Sequence, residues 1–291
     1  MEKRDPRKMA LQIAGLRAYE TNLPEGEGVF RDPYAEYFFP EEIRKMAKDP
    51  AWVRAEHAKN EQIMPGVNGA IVARIRFIDE SLADAIQEGF KQLVIVGAGY
   101  DTRAYRVKGV KENLAVFEVD HPLTQEIKVK TIEAILGALP EHVTYVPVIF
   151  GENQLGQCLL ERGYRRDMKT LFIIEGMLMY IPAPAVDSLL SFISRASAPG
   201  SALVADYFAT SVIDGTSPLQ EAKVLRKFVE SEGAPLQFGI QKNSSETFFN
   251  ARVFRIVHDI NALTCKENYF KGISASRPVT PMFNFVYAAV R

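Results

Sequence analysis

Cysteine is scarce: Cys158 and Cys265 stand far apart and outside any Cys-x-x-Cys spacing, which excludes a disulfide framework and a cysteine-based zinc site. Both read as reduced thiols. Long hydrophobic runs are missing as well. No stretch approaches the roughly 20 apolar residues of a membrane-spanning helix, and the start, MEKRDPRKMALQIAGL, has charge but no apolar core followed by a cleavage site. A charge excess of either sign is also lacking. With 35 Lys and Arg against 36 Asp and Glu, the formal charge of -1 gives no electrostatic reason to expect a nucleic-acid or anionic-membrane partner. Local basic segments such as RGYRRDMK read as solvated surface. The four histidines, His57, His121, His142 and His258, show no metal-ligand spacing, so no metal is expected. Together these absences predict a cytoplasmic protein.

What is present is enough apolar sequence, 47% of 291 residues, for one large core or for one domain with a substantial cap. From Lys91 onward, QLVIVGAG, LAVFEVD, VTYVPVIF, TLFIIEG and SALVADYF have the near-continuous apolar character of strands covered on both faces. Amphipathic stretches, Leu123 to Leu139 and Ala183 to Ala196 among them, alternate with these runs, which predicts an open α/β fold with a parallel sheet and crossover helices. Two further strands are expected at Val253 to Ile260 and Phe283 to Val290. The segment between them shows little helical period, so a hairpin-like finish with an antiparallel strand is predicted. Ile71, Ile75, Ile78, Leu82 and Ile86 recur at steps of three and four, placing them on one face of a helix over Gly69 to Gly89. Residues 1–69 read as a helical cap within the same domain, over the sheet edge that carries the strand C-termini. Residues 70–291 read as the sheet-bearing part.

Ligands of open α/β sheets sit beyond the strand C-termini, where Gly97 and Gly99 fall. The dinucleotide fingerprint would have a third glycine where this chain has Thr102, which disfavours a pyrophosphate laid against a helix. Asp120 ends the second strand about twenty residues later, the separation at which a carboxylate reaches ribose hydroxyls. A nucleoside without a phosphate fits both facts, and S-adenosyl-L-methionine is such a ligand.

VIVGAGYDTRAYR, FEVDHP and FIIEGMLMYIP, in this order on successive strands, resemble the leucine carboxyl methyltransferase family and its bacterial and archaeal relatives, which are class I S-adenosyl-L-methionine-dependent O-methyltransferases. FRDPYAEYF, VARIRFIDE and SSETFFNARVFRI extend the likeness over most of the chain. The resemblance implies a Rossmann-like seven-stranded, mostly parallel sheet with one antiparallel strand, an N-terminal helical cap, and S-adenosyl-L-methionine as cofactor. It implies that Arg74 holds the cofactor carboxylate, that Gly97 belongs to the cofactor loop, that Asp120 takes the ribose, and that Glu175 faces the ammonium or sulfonium. Arg17 is a looser candidate for a second basic contact. One departure stands out: relatives usually carry an Asp directly after the third strand, where this chain has Ile149. Adenine is then expected against Phe150, with backbone groups, Asn153 or Gln154 as polar partners.

Other candidates have duller rivals. Glu118 shares Asp120's face of its strand by alternation and is either a second polar contact or a member of an ion pair. Asp101 and Thr102 suit both cofactor contact and a helix N-cap. Arg74 competes with the reading of a charge on the exposed side of its helix, and Arg103 and Arg106 with that of loop-bracing ion pairs. Tyr180 lies where a substrate would meet the methyl group. A carboxylate acceptor, ionised at neutral pH, needs no general base; a hydroxyl acceptor would call on His121, Tyr180 or Asp206. A small-molecule acceptor is expected, and a protein C-terminus is the family's other option. Two alternatives share the same turn and acidic strand end: a nicotinamide-dependent oxidoreductase, against which Thr102 counts, and a non-catalytic nucleoside-binding protein, motivated by Ile149.

Overall fold

The β-branched and aromatic runs pair into one seven-stranded sheet of order β3-β2-β1-β4-β5-β7-β6. The computed structural model describes residues 6–149 and 154–291. The strands are β1 Gln92–Val96, β2 Ala115–Asp120, β3 Val143–Pro147, β4 Thr170–Ile174, β5 Ala202–Phe208, β6 Phe254–Asn261 and β7 Phe283–Val290. β1 to β5 are parallel, and β7 runs antiparallel to both β5 and β6. The chain moves outward from β1 through β2 to β3, then crosses back to β4 on the other side of β1. That reversal creates a crevice between the C-terminal ends of β1 and β4, the usual ligand position in such sheets.

Among the described residues four α-helices and the short 3-10 helix Ala35–Phe38 precede the sheet: α1 Pro6–Asn22, α2 Glu41–Met46, α3 Pro50–Ile63 and α4 Val67–Gln87. Between its strands come α5 Arg103–Arg106, α6 Val110–Asn113, α7 Pro122–Leu136, α8 Leu155–Glu161, α9 Ala183–Arg195, α10 Thr210–Ile213, α11 Gln220–Ser231, α12 Ser245–Asn250 and α13 Ala262–Tyr269. No helix among the described residues is long and apolar enough to cross a membrane.

Strand alternation divides the core in two. Leu93 and Ile95 of β1 join α4 residues such as Ile75, Ile78 and Leu82 on one face. Val94 and Val96 join Val186, Leu190 and Ile193 of α9 on the other. Both faces are dry, which is why these strands read as unbroken apolar runs rather than alternating ones. α4 lies close enough to residues 278–280 that a Cβ on Gly69 would stand 2.1 Å from the Pro278 carbonyl oxygen, so only glycine fits there.

The end of the chain differs from a plain hairpin. β6 and β7 do pair antiparallel, but the connection contains α13, capped by Asn261, whose side chain accepts from the Leu263 and Thr264 amides at 3.0 and 3.1 Å. The helix is two turns long and its apolar periodicity is weak, so its one clear sequence signal is the capping asparagine.

Candidate functional site

A cavity of about 1140 Å³ lies beyond the C-terminal ends of β1 to β5. Its floor is built by the loops that follow the strands: Gly97 to Asp101, Asp120 and His121, Val148 and Ile149, and Glu175 to Met177. α1, α2 and α3 form its outer wall with largely apolar side chains, among them Ile13, Ile43 and Trp52. Gly97 turns the chain at φ 72°, in the left-handed region, and a Cβ there would come within 3.2 Å of the Met177 sulfur. Glycine therefore serves both the turn and the narrow gap between the two loops.

Arg74 is 4% exposed, so it is no surface charge. From α4 its Nε donates to Glu175 Oε1 at 3.0 Å and its Nη1 to Asp206 Oδ2 at 2.8 Å. Arg103, also buried, donates from Nε to Asp79 Oδ1 at 2.7 Å and from Nη1 to Glu175 Oε2 at 2.6 Å, and pairs with Asp101. Arg106 clamps Asp79 with 2.7 and 2.8 Å bonds. Glu175 thus bridges two guanidinium groups. Burial pushes its carboxyl pKa up, but Arg103 and then Arg74 outweigh that and hold it below the ordinary range. Asp206, with Arg74 as its main cationic neighbour, goes the other way, because burial wins.

Asp120 lines the cavity with both oxygens engaged from one side. Oδ2 accepts from the Gly99 amide at 2.5 Å and Oδ1 from the His121 amide at 2.6 Å. Each oxygen keeps acceptor capacity for a ligand hydroxyl. Burial raises its pKa against the pull of those two amides.

Of the residues singled out in the sequence, Arg74, Gly97, Gly99, Asp101, Asp120, Glu175 and Tyr180 all line this one cavity, with Arg17, His121 and Ile149. Asp101 does double service: it faces the cavity and its Oδ1 accepts from the Arg103 amide at 2.6 Å. Glu118 is not brought there. It is fully buried, its Oε2 2.7 Å from Lys128 Nζ and accepting from the Tyr105 hydroxyl at 3.1 Å. Strand alternation gives it Asp120's side of β2, but about 7 Å deeper, behind α7 rather than at the rim. Asp206 does not line the cavity either, and Gln154 lies exposed ahead of α8. Phe150 and Asn153 lie outside the described residues.

Two features escaped the sequence reading. Asp32, inside FRDPYAEYF, ties the cap to the glycine loop: its Oδ2 accepts from Arg17 Nε at 2.8 Å and from the Thr102 hydroxyl at 2.6 Å, while Arg17 also reaches the Tyr100 carbonyl. Burial would raise the Asp32 pKa, but Arg17 and then Arg106 pull it below its usual value. His57 lines the cavity from α3, stacked on Tyr19 with ring centroids 4.6 Å apart. Burial, then Arg277, pushes its pKa down to about 4, so the imidazole is neutral at pH 7. No local motif surrounds His57; only the cap's packing brings it to the wall.

The profile of the leucine carboxyl methyltransferase family matches residues 10–194. Among curated proteins the chain is similar to YktD of Bacillus subtilis, a predicted S-adenosyl-L-methionine-dependent methyltransferase: 27% identical over 251 residues, covering 81% of this chain and 82% of that one. It is similar to another predicted S-adenosyl-L-methionine-dependent methyltransferase, from Mycobacterium avium, 32% identical over 215 residues, with 71% of this chain and 67% of that protein covered. In three dimensions it shares its fold with a crystal structure of a predicted methyltransferase from Thermobifida fusca, at a TM-score of 0.61 and 13% identity, over 95% of this chain and 94% of that one.

Proposed function

The chain belongs to the leucine carboxyl methyltransferase family, with S-adenosyl-L-methionine as its cofactor, and from that premise we propose that it is an O-methyltransferase acting on a carboxylate or hydroxyl oxygen of a small molecule. The observation that carries this reading is the convergence of Gly97, Asp120, Glu175 and Arg74 on one cavity whose remaining wall is largely apolar.

The residues present fit the cofactor. Asp101, Asp120 and Glu175 line the same floor; Asp101 and Glu175 are paired with Arg103 and Glu175 also with Arg74, so Asp120, held by two backbone amides, is the floor acid left to a ligand's hydroxyl groups. Asp120 would accept from the ribose hydroxyls, Glu175 would face the ammonium or sulfonium, and the guanidinium of Arg74 would take the carboxylate in a charge-assisted pair. When bound, the sulfonium supplies an already activated methyl group. The chain's part is then to orient the acceptor oxygen and exclude water. Apolar side chains of the cap and Tyr180, at the end of the 3-10 turn Leu178–Tyr180, are placed to do both. Residues 1–69 serve as the cap of the site and 70–291 as the methyltransferase portion of a single domain.

A carboxylate acceptor is ionised at neutral pH, since its reference pKa is about 4, and needs no base. Should the acceptor be a hydroxyl, the neutral imidazole of His57 and the side chain of His121 are titratable groups in the wall, whereas Asp206 is sealed behind Arg74. The cavity's largely apolar outer part suits a small molecule with an apolar body.

Calorimetric titration with S-adenosyl-L-methionine and S-adenosylhomocysteine, followed by transfer of labelled methyl to a panel of carboxylic acids, phenols and alcohols, tests the proposal. Binding of both and base-labile label on an acid, or stable label on a hydroxyl, is the expected result. Binding without transfer to any member would point to a non-catalytic nucleoside-binding role, and absence of binding at millimolar concentration would overturn the reading.

A further inference from the structure

Every residue that β5, β7 and α11 contribute to the cavity wall is apolar: Phe208 and Phe283 from the strands, and Leu225, Phe228 and Val229 from the helix. The acids Asp101, Asp120 and Glu175 belong instead to the ends of β1, β2 and β4 and the loops that follow. The cavity is thus divided along the sheet, and strand pairing gives the division a scale. Ile174, which ends β4, is level with Ala205, so Glu175 is level with Asp206. Phe208 stands two residues, about 7 Å, closer to the cavity on the same face of β5 as Asp206. Phe283 is its partner across the ladder, and the two rings meet edge to face with centroids 4.9 Å apart. From β4 across β5 to β7 is two strand spacings, about 10 Å. Asp206 itself is buried and paired with Arg74, so β5 presents no charge to this half.

α11 closes the half from outside. Leu225, Phe228 and Val229 recur at steps of three and four, which puts them on one face of the helix. Leu225 and Val229 are buried, whereas Phe228 is only partly so and has surface to give to a ligand. The charged side chains between them, Arg226 and Lys227, are exposed and stay out of the wall. α4 adds Ile71, about one turn before Arg74, and the uncharged Asn68. The five aromatic and aliphatic residues from β5, β7 and α11 all lie beyond residue 194, where the family match ends, while Arg17, Arg74, Gly97, Asp120 and Glu175 lie within it.

We propose that the half-cavity of β5, β7 and α11 is the acceptor subsite, that its occupant is an organic molecule apolar and uncharged for about 10 Å from the oxygen to be methylated, and that Phe228 is its specificity-determining contact. The inference rests on the other half being the S-adenosyl-L-methionine site. An oxygen presented beside Glu175 leaves the rest of the molecule over Phe208 and Phe283 and under α11. A charge carried there loses its hydration and meets no counter-ion from these three elements, whereas each methylene gains by leaving water.

The test is calorimetric binding of two graded series to protein saturated with S-adenosylhomocysteine and, separately, to cofactor-free protein. Straight-chain carboxylates from butanoate to decanoate and 4-alkylphenols from methyl to hexyl differ in the oxygen they offer. Octanedioate and 4-(4-hydroxyphenyl)butanoate add a carboxylate at the far end of each. At least one series should tighten about three- to fourfold per added methylene, and its far-end carboxylate should bind at least tenfold more weakly than octanoate or 4-butylphenol, its parent. Phe228→Ala should weaken the parent about tenfold and flatten the dependence on length, and Phe228→Leu should restore most of both. Phe228→Lys should bring the far-end carboxylate level with its parent or ahead of it, a gain that lost packing cannot produce. S-adenosylhomocysteine affinity should stay within about twofold in all three variants. Absent or length-independent binding in both series, a far-end carboxylate as tight as its parent in the wild type, or a loss of S-adenosylhomocysteine affinity in Phe228→Ala as large as the loss of the probe would overturn the proposal. A wild type that fails to bind S-adenosylhomocysteine would sink the cofactor reading, while the two series on cofactor-free protein still measure the apolar half.

Discussion

Arg74 and Asp120 both face the cavity, yet their loss should read out differently. Asp120 takes two backbone amides at the edge of the floor, and removing it exposes those amides to water in the cavity. Asp120→Ala should therefore weaken S-adenosylhomocysteine binding by about 1–3 kcal/mol and leave the thermal midpoint nearly unchanged. Arg74 is the counter-ion of two acids, one of them fully buried. Arg74→Ala leaves Asp206 and Glu175 without it and should cost about 3–5 kcal/mol of stability as well as cofactor affinity. Arg74→Lys should rescue little, because an ammonium cannot reproduce the fork that spans both carboxylates. Calorimetry together with chemical denaturation of both variants checks the contrast; equal destabilisation by the two would contradict it.

At the scale of elements, the position of Arg74 depends on how closely α4 lies against residues 278–280. Gly69 provides that closeness, since any side chain at this position meets the Pro278 carbonyl. Gly69→Ala should destabilise the protein by about 1–3 kcal/mol as the helix is pushed off its neighbour. Asp84→Ala, on the exposed side of the same helix, should stay within about 0.5 kcal/mol of the wild type. Urea denaturation of the pair distinguishes local overpacking from a general sensitivity of α4 to substitution. α1 is held by a further device, the Arg17–Asp32–Thr102 clamp, which joins the cap to the glycine loop through buried polar contacts beside the Phe38–Tyr100 ring stack.

For the whole molecule, pH acts through groups whose burial differs between folded and unfolded chains. His57 has its pKa depressed from an ordinary 6.5 to about 4 by burial and by Arg277. A depressed pKa means that the folded protein binds fewer protons than the unfolded chain between those values. The associated stability is present above about 6.5 and is lost as pH falls toward 4. His57→Phe should therefore narrow the gap in stability between pH 7.5 and pH 5, measured as the denaturation midpoint at each pH. An unchanged gap would show that His57 is solvated in the folded state. Partial exposure of the ring limits the size of the effect.

Much of the architecture was legible along the chain because it depends on local patterns. Strands covered on both faces must be apolar at every position, and GAGYDTRAYR, FEVD and IIEG each sit at the end of such a strand, so the sheet and its ligand edge could be read without coordinates. Gly97 and Asp120 were read on that basis, Arg74 and Glu175 from the family resemblance, and the structure gathers all four around one cavity. Depth and partnership were not legible. Alternation assigns Glu118 and Asp120 to one side of β2, but only the placement of α7 seals the former against Lys128 and leaves the latter at the rim. In the same way Asp206 reads as a candidate base until Arg74 closes over it, and His57 reads as an ordinary helix residue until the cap folds it into the wall. Sequence periodicity specifies which way a side chain points; what covers it is decided by elements distant in the chain, and burial and charge pairing, which set the chemistry, follow from that cover.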